Sequence, residues 1–176
     1  MQRLIEGQVL TRRDIAVLFG GNARAFLPRV TGGEVVAGCF DPAMNPRVPS
    51  EVLVHNAPNA ILAARRLVQQ CRPKKVQSPK SRVQGPNTLH SALHTPHSAL
   101  ENSALKDSEF PSGSIPVFIK LEPNVWEYIG RFRAIRYVTD PAQVASRIYE
   151  IRPRVYEKYA RTYGEMKGIL HLEQTP

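Results

Sequence analysis

Arg131 and Arg133 stand two residues apart on one side of a candidate strand. A guanidinium is a planar fork that meets a phosphate through paired hydrogen bonds, so this spacing suits a nucleic-acid backbone. Tyr128, just upstream, joins a ring surface for stacking to a hydroxyl for hydrogen bonding. Asn45 and Arg47 supply further donors from residues 41–50. Three prolines make that loop stiff without making it regular, a common build for a binding element. Arg131, Arg133, Tyr128, Arg47 and Asn45 are therefore the candidate nucleic-acid contacts, with the arginines on phosphate and Tyr128 in a base pocket. The charge agrees, since a formal +9 over 176 residues favours an anionic partner.

Other chemistries lack their residues. There is no Gly-x-Ser-x-Gly, no His-Glu-x-x-His, no zinc-deaminase signature and no His/Asn/His nuclease pattern. Asp41, Glu51, Glu122 and Glu127 have no spacing that predicts a metal-holding cluster. Gly20-Gly21-Asn22 follows a helix and lacks the Lys-Ser/Thr of a phosphate loop. His90, His94 and His97 have no cysteine or well-placed carboxylate beside them to complete a zinc site. The expectation is a binding protein, not an enzyme, with no cofactor and no metal. The two cysteines, Cys39 and Cys71, have no ligand spacing, and no secretory leader or membrane span is evident. Free thiols in an intracellular protein, nuclear or cytoplasmic, follow from that reading.

The elements that must position these residues start with a hairpin over 115–138. Val117, Ile119 and Leu121 alternate on its first strand, and Glu122-Pro123-Asn124 makes the turn. On the second strand the period of two puts Trp126, Tyr128, Phe132 and Ala134 on a core face, with Gly130 between them. Val125, Glu127, Ile129, Arg131, Arg133 and Ile135 take the other face. Gly130 marks a bulge or a place where another group comes close.

Thr11 caps a helix over 12–19 that ends at Gly20-Gly21. Residues 25–30 are an edge strand interrupted by Pro28, joined through Thr31-Gly32-Gly33 to a buried strand over 34–40. A third strand covers 51–55. Asn56 or Asn59 caps a helix running to Gln70, with Ile61, Leu62, Leu67 and Val68 inward. Asp140-Pro141 opens another helix with Val144, Ile148 and Ile151 inward, and Pro153 ends or kinks it. Residues 154–164 are helical, with Tyr156, Tyr159 and Tyr163 among basic residues, and 168–172 form a last strand.

Residues 72–114 are rich in Pro, Ser, Lys, Asn and His and show no apolar period. They read as a disordered insertion between two halves of one domain, 1–71 and 115–176. The near repeats His90-Ser-Ala-Leu93, His97-Ser-Ala-Leu100 and Asn102-Ser-Ala-Leu105 are local duplications. The basic residues Arg72, Lys74, Lys75, Lys80 and Arg82 read as a solvated linker, with a nuclear-localisation signal or phosphate-contacting arm as the other readings.

The runs Ile-Pro-Val-Phe-Ile-Lys (115–120) and Val-Trp-Glu-Tyr-Ile-Gly-Arg-Phe-Arg (125–133) together resemble a hairpin of the SRA/PUA-like barrel superfamily. They are also similar to domains of unknown function found largely in fungal proteins, which carry Trp-x-Tyr-x-Gly-x-Tyr/Phe after an apolar strand. Phe19-Gly-Gly-Asn22 and Asn45-Pro46 fit that second group. The resemblance is specific over 115–138 and looser over 8–70. It implies an α+β fold: a small, partly open mixed β-barrel flanked by two to four helices, reading nucleic acid through a pocket, DNA ahead of RNA. This chain has Glu127-Tyr128-Ile129-Gly130 where base readers have Tyr-Asp-Gly, so base flipping does not carry over. The alternative function is a non-catalytic protein-interaction domain that reaches a partner through residues 72–114.

Overall fold

A computed structural model describes residues 4–73 and 113–176. The described chain runs β1 (Val9–Leu10), α1 (Arg12–Phe19), β2 (Gly38–Phe40), β3 (Glu51–His55), α2 (Pro58–Gln70), β4 (Ile115–Glu122), β5 (Val125–Val138), α3 (Pro141–Ile148), α4 (Pro153–Tyr163) and β6 (Met166–Gln174). The class is α+β, with one mixed sheet of six strands and four helices among the described residues. The sheet is open: its order is β2-β4-β5-β6-β3, and the end strands β2 and β3 do not pair with each other.

The β4–β5 hairpin is the centre of this sheet. Pro123 and Asn124 make its turn, and Asn124 takes a φ of 63°, a left-handed value that asparagine tolerates better than most residues. With 14 residues, β5 is long enough to serve two neighbours along its second edge. Antiparallel β1 covers its start, pairing Val9 with Glu127, and antiparallel β6 covers its end, pairing Val138 with Ile169. On the other side β2 joins β4 in parallel, while β3 enters the sheet only through β6.

Gly130 lies where these two neighbours of β5 meet. Its φ is +114°, and a Cβ there would stand 2.7 Å from Glu6 Oε1 and 2.8 Å from Gln174 Nε2. The ladder slips at this point: Pro116 faces Arg131, but Phe118 faces Tyr128, so β5 carries one extra residue. Trp126 and Tyr128 consequently turn toward α1, into a cluster with Ile15, Ala37, Cys39 and Phe118. Phe132 and Ala134 turn into a different cluster with Val117, Leu170 and α2. Strict alternation places these four residues on one face. All four are buried, but the bulge divides them between two cores.

Strict alternation does hold over Val52–Val54 of β3, ahead of a register shift between Val54 and His55. Val52 and Val54 pack toward α2, and Leu53 packs toward Val144 and Ile151 on the α3–α4 side. The β3–β6 end of the sheet is thus covered on both faces. The buried side of α2 is Ala60, Ala63, Ala64 and Leu67, small residues that let the helix sit close. Leu62, expected inward, is exposed.

Local rules hold at three helix ends. Thr11 and Asp14 form a capping box at α1, Asp140 caps α3 by accepting from Gln143 N, and Pro141 and Pro153 occupy first turns. Pro153 therefore opens α4, where a terminator or kink was expected. The cap of α2 is Ala57 and makes no side-chain hydrogen bond, so neither Asn56 nor Asn59 plays that part. The strands expected over 25–30 and 34–40 shrink to an Arg29–Val35 bridge and β2. Pro28 has no N–H to give, although its carbonyl accepts from Val36 N.

The insertion expected over 72–114 falls outside the described residues except at 72–73 and 113–114. The two described ends of the fold meet at Cys71, whose thiol donates to Gly113 O at 2.7 Å and whose sulfur accepts from Ala134 N at 3.1 Å. Replacing residues 74–112 with a short Gly-Ser linker is expected to leave the denaturation midpoint unchanged or raise stability by about 1–2 kcal/mol, because a shorter loop costs less to close. Urea unfolding checks this, and a fall of more than about 2 kcal/mol would contradict it.

Candidate nucleic-acid cleft

The five contacts expected from the sequence are placed separately. Arg131 donates through Nε to Ser114 Oγ at 3.0 Å and through a second nitrogen to Ser114 O. Arg133, on the outward side of β5, is forked onto Glu173 of β6. Arg47 holds Glu150 with contacts of 2.8 and 2.7 Å, tying the 41–50 loop to the segment after α3. Tyr128 is buried against Phe118, with ring centroids 5.5 Å apart, in the α1 core. Asn45 is buried, donating to Asp41 O and accepting from Leu53 N at 2.8 Å. That contact covers an outward N–H of the sheet-end strand β3. The structure thus gives each polar member an internal partner and does not assemble the five. Of them, only Asn45 lines the principal cleft.

That cleft has a volume of about 830 Å³. It lies where the loop after α1, the end of β3, the start of α2 and α4 converge. One wall is aromatic. Phe26 and His55 lie 5.6 Å apart, His55 and Tyr163 5.8 Å, and Tyr159 and Tyr163 4.6 Å between centroids. The residues that line it include three arginines, Arg12, Arg24 and Arg29, and a single carboxylate, Asp41. Asp41 is already ion-paired with Lys120 at 2.8 Å. Arg29 reaches Asn59 at the start of α2, and Arg24 is exposed with no ion-pair partner among the described residues.

Each of these side chains has a local reason for its place. Starting α4 at Pro153 puts Tyr159 and Tyr163 four residues apart on one face, which aims both rings at His55. His55 Nδ1 accepts from Ala57 N at 3.3 Å, which fixes the imidazole at the mouth of α2. Burial lowers the His55 pKa and pushes the Tyr159 hydroxyl up to about 12, so both rings are neutral at pH 7. The site therefore offers neutral rings for stacking beside fixed cations. That combination is chemically suited to a planar, negatively charged ligand. Among the described residues no group of His, Cys, Asp and Glu could hold a metal, and His90, His94 and His97 lie outside them. No described helix is long and apolar enough to cross a membrane.

Two half-buried histidines make stability depend on acid. Burial holds the His55 pKa down, and burial together with Arg136 and Arg147 does the same for His171, against a smaller opposing effect of Glu51. The unfolded chain takes up these protons near the ordinary value of 6.5, before the folded chain does. Their contribution is thus fully present above that pH and is lost as the pH falls below it. Melting temperature is expected to drop between pH of about 7.5 and about 5.5, and to drop less in a His55→Gln/His171→Gln variant. Equal slopes in the two proteins would contradict this assignment.

Set against protein-family models, curated proteins and solved structures, the chain matches none.

Proposed function

We propose that the protein is a nucleic-acid-binding module that uses this cleft, stacking a base on its aromatic wall and holding backbone phosphates with its arginines. The observation that carries the reading is the meeting of four rings and three arginines in one cleft whose single carboxylate is already paired. We read the open sheet as a partly open SRA/PUA-like barrel, on the strength of the 115–138 hairpin. In this reading the protein acts by binding and catalyses nothing, and DNA is the preferred polymer. A further step, discrimination of a modified base by the ring-lined wall, belongs to the same site.

Fluorescence anisotropy with labelled single- and double-stranded DNA and with RNA tests this. Affinity should fall steeply between about 50 and 200 mM salt, as counterions return to the phosphates. Tyr159→Ala should weaken binding by about 1–3 kcal/mol through the lost stack. Binding that is indifferent to salt and to Tyr159 would rule the cleft out. Methylated and unmethylated oligonucleotides run in parallel decide the modified-base reading.

A further inference from the structure

On the side of the cleft formed by α1 and β5, two hydrogen-bond donors lack acceptors. Trp126 is 8% exposed, and its indole Nε1 is fully buried with no partner. Arg12 Nη1 is likewise buried without an acceptor. Native interiors rarely leave such groups unpaired, because the lost hydration is not recovered.

Neither group is free to swing toward another partner. Arg12 Nε donates to Ala23 O at 2.7 Å and Nη2 donates to Ala25 O, so two of its nitrogens are committed. The guanidinium carbon stands 4.9 Å from the Trp126 ring centroid, which sets the cation beside the indole. Both residues line the cleft. The Cys39 side chain lies within hydrogen-bonding reach of Arg12, but burial raises its pKa to about 12 and keeps the thiol protonated, so it is a weak, neutral acceptor that brings no neutralising charge. The one lining carboxylate, Asp41, is held by Lys120. What the site lacks is an anionic acceptor.

The geometry points to an oxyanion subsite in which Arg12 Nη1 and the Trp126 indole N–H hold a phosphate group. It rests on the nucleic-acid reading only for the source of that phosphate, which is a phosphodiester of a strand or the phosphomonoester of a nucleotide. The aromatic wall of the same cleft would take the attached base.

Trp126 is the only tryptophan, so its fluorescence and its indole N–H resonance report on the subsite without labelling. The full chain is titrated with inorganic phosphate, with a nucleoside monophosphate, with the nucleoside alone and with a short single-stranded oligonucleotide, at constant ionic strength. Phosphate and the monophosphate should shift the indole resonance saturably, and the nucleoside should not. Trp126→Phe keeps an aromatic ring in the α1 core while removing the N–H donor together with part of the ring, so its stability is measured alongside its binding. It should weaken phosphate-dependent binding roughly tenfold while unfolding as a single cooperative transition. An indole resonance that stays fixed under saturating phosphate, or a folded Trp126→Phe protein that binds like the parent, overturns the subsite. If the oligonucleotide binds with salt and Tyr159 dependence while the indole stays fixed, the subsite fails and the nucleic-acid reading stands. If phosphate and monophosphate move the indole but no oligonucleotide binds, the subsite stands, its ligand is the phosphomonoester, and the nucleic-acid reading fails.

Discussion

With nucleic acid in the proposed cleft, replacing Arg24 and Arg29 together with glutamine is expected to lower affinity for a single-stranded oligonucleotide by about 10–100-fold and to flatten its salt dependence by about one unit of slope per lost phosphate contact. The effect is large because both guanidiniums line the cleft and neither is neutralised there. Arg24 is exposed without an ion-pair partner among the described residues, and the Arg29 guanidinium donates to the neutral amide of Asn59, with no ion pair among those residues. Arg133→Gln provides the contrast. Its fork is spent on Glu173, so the pair is close to neutral toward a ligand and removing it changes affinity by about threefold or less. Anisotropy titrations of both variants across salt decide the matter. If Arg133→Gln loses more than the double variant, the ligand lies on the hairpin and the cleft assignment is wrong.

Phe118→Ala destabilises the fold by about 3–5 kcal/mol, a large share of the 5–15 kcal/mol that holds a typical domain together. Phe118 has no exposed surface and stands between Phe19 of α1, at 6.0 Å, and Tyr128 of β5, at 5.5 Å. At eight residues α1 is too short to persist by propensity, so its docking depends on this packing. The same helix carries Arg12 into the cleft. Phosphate-dependent binding should therefore weaken in Phe118→Ala even at temperatures where most molecules stay folded. Urea unfolding gives the stability change. A loss below about 1 kcal/mol would mean that α1 is held by something other than this cluster.

Much of the architecture was legible because its signals are local. Thr11 with Asp14 and Asp140 with Pro141 mark helix starts through hydrogen bonds that close within one turn. The 115–138 hairpin shows in its period of two and its Pro-Asn turn. Gly130 was legible as a special position, but not its consequence. A glycine with positive φ lets the strand switch cores, and nothing in the flanking residues says which core each aromatic enters.

The cleft was hidden for a different reason. Its chemistry comes from residues near 12, 24–29, 55–59 and 159–163, separated by most of the chain, and no motif spans them. His55 looks isolated in sequence because its ring partners belong to α4. The tyrosines of α4 were visible as a repeat among basic residues, but their direction depends on Pro153 starting a helix. Conversely, Arg131, Arg133 and Arg47 stand out in sequence as free cations, yet Ser114, Glu173 and Glu150 meet them in the fold. Sequence spacing does not reveal such pairing, because it depends on strand register and on where α3 ends.

The central claim is that nucleic acid lies in the cleft against the α4 rings. Photo-crosslinking of a bromouracil-substituted oligonucleotide, followed by mapping of the modified peptides, tests it most directly. Crosslinks on Tyr159, Tyr163 or Phe26 are the predicted result. Crosslinks confined to the outward face of β5 around Arg131 and Arg133 would contradict it.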